Sequence, residues 1–211
     1  MKEITPISSL AEFKQAFDNG GRFYNVFTKA DDNILAASEL AKAAGTYGAD
    51  STAILHFEFL RLLLPVNDRA TVLEILDDRA RSRREEHQPI ACSPAKLHQT
   101  AKPGETAIIA GYAKPRTSRS ESARHVLVKV KKGEVVQLKK MLVSDQFDLY
   151  ELFETPDRKK MPAHVVASRE VTLPHWSKIV LGGVVREFAA EEGADLPGTY
   201  LEAQMFARIL E

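Results

Sequence analysis

Very little in this sequence announces a function. A single cysteine, Cys92, in 211 residues excludes a disulfide scaffold. Only 11 Gly and 10 Pro are present, which excludes a collagen-like or low-complexity chain. The formal charge is zero, 29 Lys plus Arg against 29 Asp plus Glu, so this is not a globally basic nucleic-acid binder. The longest apolar stretch, Ala53 to Val66, is broken by His56, Glu58 and Arg61 and is too short to span a bilayer. Met1 to Pro6 lack the apolar core of a signal peptide. The expectation is a soluble, bacterial-type cytoplasmic protein with no membrane partner.

Catalytic signatures are missing too. There is no G-x-S-x-G elbow, no Walker-type phosphate loop, no G-x-G-x-x-G and no H-E-x-x-H. Nothing flanking Cys92 marks a nucleophile. Asp77-Asp78 and Glu85-Glu86 are adjacent pairs on a charged helix, where neighbours diverge, so they read as a solvated face. His87, Cys92 and His98 are three zinc-ligand types without paired spacing or a fourth partner, and read as loop residues. No catalytic residue, metal ligand or cofactor is assigned.

What is present is 44% hydrophobic residues, enough for a core, and a clear division of pattern. Residues 1–90 read as a helical unit of about four helices. Ser8-Ser9 cap a helix carrying Leu10, Phe13 and Phe17. Ile34 to Ala44 is rich in helix formers and is followed by Gly45. Thr52 to Leu64 is apolar nearly all round and stops at Pro65. A fourth helix opens at Asn67 or Asp68 and ends in Arg79, Arg81, Arg83 and Arg84, cations placed where the helix dipole favours them. Residues 91–104 read as a linker. Residues 105–211 read as a β-rich unit, an antiparallel sheet or barrel closed by C-terminal helices, for an α+β fold that can pack as one domain. The first closing helix rests on the spacing of Trp176, Ile179, Val180, Val184 and Phe188, though Gly182-Gly183 inside it is costly. The second rests on a capping box, Thr199 and Glu202. Leu201, Ala203, Met205, Ala207 and Ile209 also alternate, so a final strand competes with it.

The segment Thr28 to Glu39 resembles a degenerate EF-hand loop, with Asp32 and Asn33 in the turn and Glu39 last. Ala30 offers no side-chain oxygen at a ligand position, so the resemblance implies no calcium role. Asp32 and Asn33 read instead as a helix cap.

The zero net charge is a cancellation. Residues 1–90 hold 11 basic and 14 acidic side chains, 91–180 hold 16 and 9, and 181–211 hold 2 and 6. The excess is sharpest in 91–141, with 11 basic against 3 acidic. Lys114, Arg116, Arg119 and Arg124 frame a Ser-rich loop, and Lys129, Lys131, Lys132, Lys139 and Lys140 decorate a hairpin. These nine are the candidate binding residues for a polyanion, since phosphate contacts are charge-driven and need no base readout. Aromatic neighbours for stacking are sparse: Tyr112, Phe147 and Tyr150. A purely structural use competes, because lysines also protect an exposed strand edge.

The function read from the sequence is a non-catalytic binding or interaction module whose basic face contacts nucleic acid or an acidic protein surface. The alternative is an enzyme or small-ligand receptor with a pocket between the two units, drawing on His56, His125, His164 and His175. A homo-oligomer is the third partner class, with apolar helix faces or the basic region meeting the acidic ends of a second copy.

Overall fold

The computed structural model describes all residues except 19–33, 46–49, 133–134, 169–170, 188–198 and 210–211, and describes 117–146 by backbone alone. The first half of the degenerate calcium-type loop, residues 28–33, and with it the cap read at Asp32 and Asn33, therefore lies outside the described residues.

The helices come first. α1 (Leu10–Asp18) starts where Ser9 Oγ accepts the Glu12 amide, and it buries Phe13 and Phe17. α2 (Ala37–Ala43) opens with the Glu39 carboxylate accepting the Ala36 amide, and Gly45 follows it at a φ of 70°. α3 (Asp50–Leu63) is buried continuously from Ala53 to Leu60. The expected fourth helix is two: α4 (Asp68–Glu74) and α5 (Asp78–His87). The break has a local cause. Leu35 pairs with the chain at Leu76, its amide donating to Ile75 O and its carbonyl accepting the Asp77 amide. Asp77 then caps the new helix by accepting the Ala80 amide at 2.5 Å. The described part of 1–90 thus carries five helices rather than about four.

Arg83 and Arg84 do more than complement a helix dipole. Arg84 pairs with Glu58, a carboxylate on α3 that is 3% exposed, and Arg61 reaches the same group at 2.6 Å. Arg83 pairs with Asp50. A buried carboxylate without cations would be heavily penalised, so α5 is fastened to α3 through charge as well as apolar contact.

Between the helices and the sheet come β2 (Ile90–Cys92), a 3₁₀ turn (Pro94–Lys96) and α6 (Leu97–Thr100). Five strands then close a barrel: β3 (Thr106–Lys132), β4 (Val135–Phe153), β5 (Ala163–Ser168), β6 (Lys178–Glu187) and β7 (Thr199–Arg208). β3, β4 and β5 form a meander, β6 returns to pair with β3, and β7 fills the gap between β6 and β5, parallel to β5. That is a five-stranded Greek-key barrel, as in OB folds. Short β1 (Lys2–Glu3) adds to β7, and β2 adds to β3.

Neither C-terminal helix exists among the described residues; both segments are barrel strands. The reason is burial on two sides. Ile179, Leu181 and Val185 of β6 fill the barrel, while Val180 joins the core beneath the helices. A strand buried on both faces reads as one apolar run, and a run cannot be told from a helix by periodicity. The costly Gly182-Gly183 pair is explained by close approach. A Cβ on Gly182 would stand 2.9 Å from Phe59 Cδ2 of α3, and one on Gly183 would collide with the Glu202 carbonyl. The ladder slips here, from Gly182–Met205 to Gly183–Ala203, leaving Gln204 of β7 as the extra residue of a bulge.

Candidate functional site

The β3–β4 hairpin is far longer than the barrel needs. β3 pairs with β6 only from Thr106 to Tyr112, and β4 pairs with β5 only from Phe147 to Leu152. Beyond those limits the described residues of the two strands pair solely with each other, out to Lys132 and Val135. From Arg119 to Lys132 the ribbon runs for about 45 Å at the rise of an extended strand. From Lys114 to Gln146 it carries nine basic residues against three acidic ones, Glu121, Glu134 and Asp145.

All nine sequence-assigned cations belong to this hairpin. Seven lie on its self-paired part: Arg119, Arg124, Lys129, Lys131, Lys132, Lys139 and Lys140. Their side chains lie outside the described residues, but their register is defined. Arg124 pairs with Val143, Lys129 with Leu138, Lys131 with Val136, Lys132 with Val135, Lys139 with Val128 and Lys140 with Leu127. Only Arg119 has a carboxylate opposite, Asp148. The register therefore sets six of the seven cations opposite an aliphatic residue, with no acid directly across the ladder.

Lys114 and Arg116 sit where the arm leaves the barrel. Lys114 Nζ is 3.8 Å and Arg116 Nε 3.7 Å from the Glu151 carboxylate, so both share one acid. Glu151 belongs to a polar belt around the barrel. Lys114, Glu151, His164, Tyr200 and Arg186 are successive register partners across β3, β4, β5, β7 and β6. Arg186 ends the row, its Nε donating to the Glu202 carboxylate of β7 at 2.7 Å. Burial lowers the His164 pKa and Arg116 lowers it further, against the opposing pull of Glu151. Burial likewise raises the Tyr200 hydroxyl.

A ring cluster fixes the base of the arm. The Trp176 amide donates to Ala113 O at 3.0 Å, its ring stacks on Phe153 at 6.1 Å, and the Arg158 guanidinium lies 4.4 Å from the ring centroid. Trp176 and Arg158 both hold positive φ, 55° and 57°, a conformation that bulky residues keep only when surroundings enforce it. The sequence hid this cluster by placing Trp176 in an apolar helical pattern. Of the three expected stacking aromatics, Tyr150 is buried against the barrel core.

The described histidines do not converge. His56 lines a cavity of about 290 Å³ between the helices and β7, and His164 lines another of about 280 Å³ beside Leu97 and Thr199. His175 adjoins Trp176, 5.5 Å between ring centroids. The side chain of His125 lies outside the described residues.

No family model matches this chain, and no curated protein matches it. Among solved structures it is similar to the N-terminal domain of an archaeal MCM, at 11% identity and a TM-score of 0.43, over 96% of this chain and 100% of that one. So distant a likeness carries no function across. Among the described residues no group of three or more His, Cys, Asp or Glu gathers to hold a metal ion, and no helix is long and apolar enough to cross a membrane.

Proposed function

We propose that the chain is a non-catalytic binding module whose β3–β4 arm grips a polyanion, with nucleic acid as the favoured partner over an acidic protein surface. One observation carries this reading: seven cations lie on a single self-paired ribbon, and six of them have an aliphatic residue, not an acid, as register partner. Phosphate contact requires positive charge presented in a row, and a two-stranded ribbon has the width that the major groove of a duplex admits. The fold is a supporting analogy only. OB-type barrels hold oligonucleotides across their second and third strands, here β4 and β5, and through the connection of the first two, here the arm. The binding residues proposed are Lys114, Arg116, Arg119, Arg124, Lys129, Lys131, Lys132, Lys139 and Lys140. Lys114 and Arg116 contribute least, because Glu151 already engages them. The division at 91–104 into a helical and a β-rich unit that pack as one domain belongs to the same proposal. So does self-association, which sedimentation reads directly.

The test is a salt titration of binding to single- and double-stranded DNA and RNA. Affinity should fall steeply with salt. Changing Lys129, Lys131, Lys132 and Lys139 together to Gln should reduce the duplex log–log slope by about 3–4 units, about 0.9 for each phosphate no longer neutralised. The weakening should be uniform across sequences. An absence of binding even at low ionic strength sinks the nucleic-acid reading.

A further inference from the structure

The cavity beside His56 has features that the arm does not use. It lies where the end of α2, α3, β1 and β7 meet, with a volume of about 290 Å³. That is at the lower end of the range for small-molecule pockets and far more than one water needs. Four polar side chains line it: Lys2, Thr52, His56 and Gln204. The remaining wall is apolar, including Ile4 and Met205.

Two of these polar groups are placed at a cost. His56 is only 6% exposed, and its Nδ1 has no hydrogen-bond partner among the described residues. A buried polar atom left unpaired is expensive, and here it belongs to a ring that forms part of the cavity wall. Gln204 is the inserted residue of the β7 bulge, and bulges characteristically re-aim a side chain beside a site. That bulge requires a glycine opposite, because a Cβ on Gly183 would strike the Glu202 carbonyl. The local backbone is thus shaped around the residue that enters the cavity.

The charge in the site has one sign. Lys2 is exposed and has no ion-pair partner among the described residues, whereas its neighbour Glu3 is engaged by Arg208 at 3.0 Å. Lys2 is near enough to add to the burial effect that holds His56 neutral. The neutral imidazole adds no opposing charge, and the Thr52 hydroxyl and the Gln204 amide can donate.

We infer that this cavity is a binding site for a small organic anion, a carboxylate with a short aliphatic body. Its head would be held by Lys2, Thr52 and Gln204, and its body by Ile4 and Met205 against the wall that the His56 ring helps to form. The inference does not depend on the arm or on nucleic acid.

The test uses the full chain at pH 7, following the Cε1–H resonance of His56 by NMR while butyrate is added. Butyramide, the neutral isostere, and sodium chloride at matched ionic strength are the controls. Butyrate should shift the His56 resonance saturably at millimolar concentration while butyramide does not. Lys2→Gln, at an exposed position, should weaken the response by about fivefold. Thr52→Val should weaken it too. A shift no larger than that from chloride, an equal response to butyramide, or an unchanged affinity in Lys2→Gln overturns the inference.

Discussion

At the residue scale, His56 couples the fold to pH. Its pKa is lowered from 6.5 to about 4, first by burial and then by Lys2. The unfolded chain therefore binds a proton between those values that the folded chain refuses. The contribution to stability is complete above pH 6.5 and is lost as pH falls toward 4, by up to about 3 kcal/mol in all. Urea midpoints measured from pH 7 to 4.5 should fall more steeply for the native chain than for His56→Gln, which keeps polarity but does not titrate. Parallel curves would show that His56 is not the group responsible. Gly183 is the second residue with a sharp consequence. Any Cβ there meets the Glu202 carbonyl, so Gly183→Ala must shift backbone rather than a flexible side chain. The expected destabilisation is about 1–3 kcal/mol in chemical denaturation, more than for Gly→Ala at an open strand position. Gly45, with open space around its Cα but a φ of 70°, should cost less when changed to Asn, which tolerates that conformation.

At the element scale, the arm is a ribbon with two open edges. A two-stranded hairpin by itself is marginal in water, so its outer part should exchange amide hydrogens faster than the barrel portions of the same two strands. Replacing residues 119–146 by a short turn should leave the barrel folded and remove polyanion binding. A failure to fold in that variant, seen as a collapse of the far-UV CD signal, would mean the arm is structural. The sequence made the hairpin legible because Val126, Val128 and Val130 alternate and Lys132-Gly133 ends the run. Its length was not legible, since the Ser-rich stretch at 114–122 looks like a loop and only the pairing of 119–123 with 144–148 makes that part strand. The helix read over β6 fails for a related reason, while for β7 the competing strand is the one that forms. Local pattern reports how many faces are buried, and the helices cover the outer face of strands that also line the barrel. The candidate cations needed only composition to be singled out, and the register then sets all nine on one hairpin. Glu151, which occupies Lys114 and Arg116, and the Trp176–Arg158 pair needed the register and the loop geometry, which no local spacing encodes.

At the scale of the whole molecule, two cores share one set of strands. The barrel core holds Ile109, Leu152, Leu181, Leu201 and Phe206, and the helical core holds Phe13, Phe17, Phe57, Phe59 and Leu60. The helical core is completed by residues of the barrel strands: Ile108, Val180, Met205 and Ala207. Phe59 of α3 also packs into the space left by Gly182. Burying each large aliphatic contributes about 1.5–3 kcal/mol, so separating the layers would forfeit an amount comparable with the stability of a typical domain. The helical layer is therefore expected to unfold with the barrel in one cooperative transition, even though the sequence pattern divides near 91–104. Circular dichroism of the helices and near-ultraviolet signal from Trp176, which lies on the barrel side, should give coincident denaturation curves. A fragment beginning at 105 should be much less stable than the full chain and should associate through the exposed Ile108, Val180 and Met205. Two separated transitions, or a soluble and stable 105–211 fragment, would show instead that the division near 91–104 is a boundary between independently folding units.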